Sequence, residues 1–248
     1  MRVGVAGGTG RIGRFTTDAL HAAGHETVAI SRATGIDAYT GAGLDAALAG
    51  LDVVIDVCNT PLRDEAAIVD FFGTVTRNLL AAEDRAGVRH HVLLSIVGID
   101  RGQRVAHYAG KREQERQVIA GPIAWSIVRS TQFHDFAAMV AGWRLAQGTA
   151  TIPPLLVQPI AQPEVGEFLA DVATSAPLRR RIDIAGPDTQ DLVDMARRTF
   201  GARGERVRLV PTWRGLYDTS MAGEVLLPGD DARLGRITFE DWLAGGAR

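Results

Sequence analysis

The sequence predicts an α/β fold, a doubly wound parallel sheet with a smaller C-terminal lobe, on three observations. Short apolar runs alternate with amphipathic segments up to about residue 130. The runs are continuously Val, Ile and Leu rather than alternating, as in strands buried on both faces. Three glycines, Gly7, Gly10 and Gly13, separate the first apolar run from the first amphipathic one. Such strand–helix alternation builds a parallel sheet covered by helices on both sides.

In chain order, Arg2–Ala6 reads as a strand through Val3, Val5 and Ala6, and Arg11–Ala23 as the helix after the glycine turn. Thr27–Ser31, Val53–Val57, His91–Ser95 and Trp125–Arg129 supply four more strands. Leu44–Ala49, Ala66–Ala86 and Lys111–Ala120 supply the helices between them. The texture changes after about residue 148, so residues 1–148 are expected to form the core and 149–248 a lobe integrated with it. Thr149–Gln162 carries Pro153, Pro154 and Pro159, which break helices and disfavour central strands. Beyond it, Glu164–Thr174 reads as a helix and Arg181–Ala185 as a strand ended by Gly186-Pro187. A helix from Gln190 to Phe200, a strand at Val207–Val210 and a helix at Thr238–Leu243 complete the chain. Thr238 is the expected N-cap of that last helix, with Asp241 three residues on.

Composition narrows the function classes. The chain has 248 residues, 46% of them hydrophobic, enough to bury a full core. A net charge of −2 points away from nucleic acid and from anionic membranes. The single cysteine, Cys58, allows no internal disulfide, which fits a reducing cytoplasm. No apolar run approaches a membrane span, and the first residues form a strand rather than a signal peptide. His90-His91 lacks acidic or cysteine ligands nearby in sequence, so no metal site is expected.

The glycine turn carries the chemistry. Gly7 permits a sharp turn, Gly10 lets backbone approach a pyrophosphate, and Gly13 lets helix pack on strand. The helix N-terminus then offers free N–H groups and a positive dipole end to phosphate. Gly7, Thr9, Gly10, Arg11, Ile12 and Gly13 are the expected cradle of a dinucleotide. About twenty residues on, where an acidic residue would take a ribose hydroxyl, the chain has Ser31-Arg32. A hydroxyl and a planar guanidinium suit a 2′-phosphate, so NADP(H) is expected over NAD(H). Arg11 is a second candidate for that phosphate, and Asp37 an alternative partner for the ribose. Asn59, after the Val53–Val57 strand, is expected to line the adenosine side, and Phe133, after Trp125–Arg129, to cover the nicotinamide.

Several stretches together resemble the NmrA-like branch of the atypical short-chain dehydrogenase/reductases. They are Gly7-Gly-Thr-Gly-Arg-Ile-Gly13, Ser95, His107-Tyr-Ala-Gly-Lys111 with Arg-Glu-Gln-Glu after it, and Arg129-Ser-Thr-Gln-Phe133. Val157-Gln-Pro-Ile160, Ile184-Ala-Gly-Pro187 and Thr238-Phe-Glu-Asp-Trp242 extend the likeness over nearly the whole chain. The resemblance implies a Rossmann-type fold, an NAD(P) cofactor and a small C-terminal substrate lobe. Reductases of that family use a serine, a tyrosine and, four residues later, a lysine. The tyrosine protonates the carbonyl oxygen, the lysine lowers its pKa and holds the nicotinamide ribose, and the serine orients the carbonyl. Ser95 and Lys111 match, but His107 stands at the tyrosine position and Tyr108 one residue late. His107 and Lys111 share a helix face, and Tyr108 is turned from His107 by about 100°. The proton donor is therefore His107, Tyr108 or Lys111 alone. His134 is a further candidate to reach substrate.

The expected activity is reduction of a small hydrophobic carbonyl, quinone or enone by NADPH. The alternatives are a non-catalytic NAD(P) sensor that binds a partner protein, and a non-redox isomerase or dehydratase. A homodimer stays open.

Overall fold

A computed structural model describes residues 1–215 and 217–246; residues 216, 247 and 248 of the expected C-terminal lobe lie outside that description. Its strands are β1 (Arg2–Ala6), β2 (Glu26–Ile30), β3 (Val53–Asp56), β4 (His90–Ile96), β5 (Trp125–Ser130), β6 (Leu145–Ala146), β7 (Thr149–Ile152), β8 (Leu156–Val157), β9 (Arg181–Ala185), β10 (Gln190–Asp191), β11 (Arg208–Pro211) and β12 (Arg233–Leu234). Its α-helices are α1 (Arg11–Ala22), α2 (Leu44–Leu48), α3 (Glu65–Ala86), α4 (Ala106–Ala120), α5 (Phe136–Gly142), α6 (Gln162–Thr174), α7 (Leu192–Ala202) and α8 (Phe239–Ala244).

Seven strands form the main sheet in the order β12-β9-β5-β4-β3-β1-β2, every pairing parallel. From β1 the chain moves first outward to β2, then back to β3 on the opposite side. That reversal opens a crevice at the carboxyl ends of β1 and β3, the place where such sheets bind ligands. One apolar layer joins Val3, Val5, Ile55 and Val92 of the sheet to Leu20 of α1 and Val165 and Leu169 of α6. On the other face, Leu44 and Leu48 of α2 and Val75 and Leu79 of α3 cover Ala6, Ile30 and Val54. Leu80 and Val118 cover Leu93 and Ile127.

The chain beyond β5 divides its strands. β9 and β12 extend the main sheet, whereas β6, β7 and β11 form a separate three-stranded sheet and β8 pairs with β10. α5, α7 and α8 close a third apolar cluster around this second layer. β7 stops at Ile152, immediately before Pro153, as the prolines require. Thr238 caps α8 as expected: its Oγ1 accepts from the Asp241 N–H at 3.0 Å, and Asp241 Oδ2 accepts from the Thr238 N–H at 3.1 Å. Among the described residues no helix is long and apolar enough to cross a membrane.

One boundary corrects the sequence reading. α4 begins at Ala106, five residues before the expected Lys111. Gly110 is a packing residue within it. A Cβ there would lie 2.5 Å from the Phe72 ring and 2.7 Å from Ile68, so glycine allows α4 to close on α3. The short helix α5 and strands β6, β7, β8 and β10 were not foreseen, whereas β11 falls where a strand was expected at Val207–Val210.

Candidate functional site

The glycine turn has the geometry its spacing requires. Gly7 sits at φ +82, and a Cβ on Gly13 would stand 2.3 Å from the Gly7 carbonyl oxygen. Gly10 is the N-cap of α1 with no side chain capping it, and the first turn contains no acidic residue. The first-turn N–H groups therefore face the crevice without an acceptor of their own. Arg14 Nε donates to the Thr9 carbonyl at 3.0 Å and stiffens the turn, while the Ile12 side chain packs inward on the sheet. Gly7 also lies against the end of β3, where its Cβ would be 3.0 Å from the Val57 oxygen. Asn59 follows, exposed, with its Oδ1 taking the Thr60 N–H at 2.8 Å.

Two arginines were weighed for the 2′-phosphate, and they differ. Arg11 pairs with Asp135, beyond β5, and its Nη1 lies 3.4 Å from Gln162 Oε1. That arrangement spans the crevice rather than pointing to the end of β2. Arg32 is exposed beside Ser31, whose N–H meets Thr34 Oγ1 at 3.2 Å. Asp37 is engaged locally: its Oδ1 accepts from the Tyr39 N–H at 2.9 Å.

Across the crevice stands Lys111, only 5% exposed. Its Nζ donates to the Leu94 carbonyl at 2.8 Å and to Gln114 Oε1 at 2.7 Å. Gln114 Nε2 passes the contact on to Asp56 Oδ2 at 2.9 Å. Asp56, at the carboxyl end of β3, is fully buried and also accepts the Cys58 N–H at 2.8 Å. Burial lowers the Lys111 pKa, while Asp56, Cys58 and Glu115 pull it back up. An ammonium has three protons, and these two bonds leave the third. Burial, helped by Asp56, pushes the Cys58 thiol well up, so it is a buried thiol and no ready nucleophile.

His107 and Lys111 share one helix face, as their spacing implies. The imidazole stands edge-on to Phe72 at 5.3 Å, and Lys111 Nζ lies 4.9 Å from the same ring. Burial, and then the Lys111 charge, bring His107 down to about 4. It is neutral at pH 7. Tyr108 points away, 4% exposed in the apolar cluster of the second layer, with its hydroxyl pKa raised by burial. Ser95 is 1% exposed and sits beside Glu115, one turn beyond Lys111, although the two do not meet in hydrogen-bond geometry. Glu115 is already held by Arg129 at 2.8 and 2.7 Å and by Arg181 at 2.7 Å. Phe133 is half-buried on the sheet and bridges to Ile160. His134 is 2% exposed, tilted against Phe239 and Trp242 at 5.8 Å.

Sequence reasoning missed four features. Gln114 was legible only as a helical neighbour of Lys111, three residues on. Asp135, the partner of Arg11, follows a strand without any local signal. Gln132 is buried with both amide atoms unpartnered. His91, read as lacking an acidic neighbour, holds Glu83 through Nδ1 at 2.9 Å, because the end of α3 folds back beside β4.

The residues present fit a dinucleotide: a turn where side chains have no room, an uncapped helix N-terminus, and a buried ammonium with a proton to spare. A family profile described as NAD(P)H-binding matches residues 7–176. No curated protein sequence matches the chain. Among solved structures, the chain is similar to a short-chain dehydrogenase/reductase superfamily protein from Agrobacterium tumefaciens with bound NAD, at 15% identity and TM-score 0.73, covering 100% of this chain and 96% of that one. It is similar to the NADPH-dependent quinone oxidoreductase of Escherichia coli complexed with NADPH, at 17% identity and TM-score 0.67, covering 85% and 78%. It is similar to the triphenylmethane reductase of Citrobacter complexed with NADP(H), at 16% identity and TM-score 0.66, covering 86% and 79%. At these identities the likeness is one of fold, a Rossmann-type fold, as the NmrA-like resemblance implied.

Proposed function

The chain belongs to the NAD(P)H-binding family, and on that premise we propose that it is an NADPH-dependent reductase of a small hydrophobic carbonyl, quinone or enone. The observation that carries this reading is Lys111. A lysine 5% exposed, held by Leu94 and Gln114, keeps one proton unspent. The quinone oxidoreductase and triphenylmethane reductase folds support the same class of chemistry.

Gly7, Thr9, Gly10, Arg11, Ile12 and Gly13 hold the diphosphate through backbone N–H groups and the α1 dipole. Asn59 and Phe133 flank the nucleoside ends. When bound, the reduced nicotinamide supplies the hydride. Lys111 holds the ribose hydroxyl with its third proton, and its lowered pKa suits it to feed a proton to the substrate oxygen. His107, neutral at pH 7, shields that ammonium from water instead of donating. Ser95, closed in against Glu115, acts through α4 and not on substrate.

Arg32 and Ser31 are the proposed 2′-phosphate contacts and set a preference for NADPH. Arg32→Ala is expected to weaken NADPH roughly tenfold and leave NADH unchanged, since charge-assisted bonds contribute about 1.5 kcal/mol or more. Equal losses for both would remove Arg32 from that role. A second reading, a nucleotide-binding sensor, is favoured by one observation: His107, not a tyrosine, stands four residues before Lys111 on α4. NADPH titration followed by a screen for substrate-dependent loss of NADPH absorbance separates the two. Saturable binding with no oxidation by any aldehyde, quinone or enone selects the sensor. No binding of either pyridine coenzyme ends both readings.

A further inference from the structure

Gln132 is 7% exposed, and neither its Nε2 nor its Oε1 has a partner. An amide carries two donors and two lone pairs, and burying it unpaired costs folding free energy. Its backbone is fixed: the Gln132 carbonyl takes the Ile160 N–H at 2.8 Å, just past the end of β5. The side chain lies beside the Tyr108 hydroxyl, close enough to ease its ionisation but out of hydrogen-bond geometry. Tyr217, 6% exposed, belongs to the same cluster, edge-on to Phe136 at 6.3 Å. Burial, and then the nearby Tyr108 hydroxyl, raise the Tyr217 pKa. Neither hydroxyl makes a hydrogen bond among the described residues. Around them stand Ile99, Val105, Val140 and Met221. Apolar walls with a few convergent polar groups are the usual make-up of a small-molecule site.

We propose that Gln132, with Tyr108 and Tyr217, receives a carbonyl oxygen of the substrate, an assignment that rests on the reductase reading above. Three strands of reasoning converge on an uncharged oxygen. The amide N–H and the phenol O–H groups are donors, the surroundings are apolar, and all three side chains are at least nine-tenths buried. They come from the end of β5, the first turn of α4 and the second layer, so the receptor forms only when the second layer closes on the main sheet. Gln132 fixes the position of the oxygen, and the two phenols set how bulky its neighbours can be.

The test compares wild type with Gln132→Leu, using menadione as the quinone probe. Replacing an unpaired buried amide by an apolar side chain of similar volume relieves its desolvation cost. The variant should melt about 2–4 °C higher, as expected for roughly 1 kcal/mol in a chain of this size. Its KM for menadione should rise about tenfold, while the NADPH Kd stays within twofold. Opposite signs for stability and substrate affinity are what a purely structural role cannot produce. A lower melting temperature with unchanged KM overturns the assignment, and so does a higher one with unchanged KM. If wild type oxidises NADPH with no aldehyde, quinone or enone, the reductase reading fails; if only menadione is inert, equilibrium binding of menadione decides this one. Binding lost in Gln132→Leu supports it; equal binding, or none by wild type, overturns it.

Discussion

The two sides of the crevice are built from different materials. At the end of β1 the site is backbone: glycines without room for a Cβ and N–H groups at a helix start. On α4 and at the ends of β3 and β5 it is side chain: Lys111, Gln114, Asp56, His107 and Gln132, all buried or half-buried, several reaching across tens of residues in sequence. A backbone site tolerates change in what surrounds it and none in its own glycines. A side-chain site is the reverse, adjustable one group at a time, with a pH response because its groups titrate.

The largest expected effect tests the backbone side. In Gly13→Ala the new Cβ meets the Gly7 oxygen at 2.3 Å and the Gly8 Cα at 2.6 Å, both main chain. The turn must open, at a cost on the order of 3 kcal/mol. Urea unfolding should show that loss, and NADPH titration should show no saturable binding. A variant that binds NADPH normally breaks the backbone description of the cradle.

The counterpart on the side-chain side is Lys111→Met. It leaves the Leu94 carbonyl and Gln114 Oε1 without a donor, a loss of about 2 kcal/mol. Turnover should drop about 100-fold or more, the usual scale of a lost proton-transfer group. NADPH affinity should hold within about fivefold, because the cradle supplies most of it. Equal collapse of binding and turnover would mean that the two sides are one unit.

The same contrast explains what was legible in the sequence. Gly7, Gly10 and Gly13 act through spacing within one turn, so the strand, turn and helix could be read off directly. Thr238 and Asp241 cap α8 by the same local logic. The role of Gly110 left no local trace, because it is set by Phe72 and Ile68 on α3, about forty residues away. Lys111 was found by its place after His107, but its hold on Asp56 through Gln114 depends on how α4 lies over the sheet. Gln132 gave no signal, since a missing hydrogen bond is a property of the folded surroundings and of nothing in its neighbours along the chain.

Titration sharpens the comparison further. His107 and His90 are each held at about 4, by burial first and then by the charges of Lys111 and His91. Unfolded histidine titrates near 6.5. As pH falls through the window between those values, the unfolded chain takes up protons that the folded chain does not, and stability declines. His91 has the opposite sign. Burial pushes it down, but the Glu83 carboxylate at 2.9 Å outweighs that and raises it. Its stabilisation is complete below about 6.5 and fades as pH rises through the raised value. Stability should therefore peak near neutrality on the acid side. His107→Phe, which keeps a ring against Phe72, should remove about 2 kcal/mol of the decline between pH 7 and pH 5. Urea midpoints across that range check it; an unchanged acid limb would mean that the imidazole is hydrated.

The smallest effect concerns the contact that joins the two sides. Arg11 on α1 meets Asp135 beyond β5, with side chains 62% and 21% exposed. A pair so open to water contributes well under about 1 kcal/mol, so Asp135→Asn should unfold almost as wild type does. Its consequence is electrostatic instead. Asp135 brings a negative charge near an uncapped helix N-terminus proposed to receive a diphosphate, and it occupies the Arg11 guanidinium, which could otherwise turn toward an anion. Removing the charge frees Arg11 and ends the repulsion. NADPH affinity should rise about threefold at low ionic strength, and the gain should shrink as salt screens it. Tighter binding that ignores salt would point to a change in shape rather than charge. Weaker binding would make Asp135 a ligand of the cofactor, so that the side-chain wall and the backbone cradle grip the same molecule.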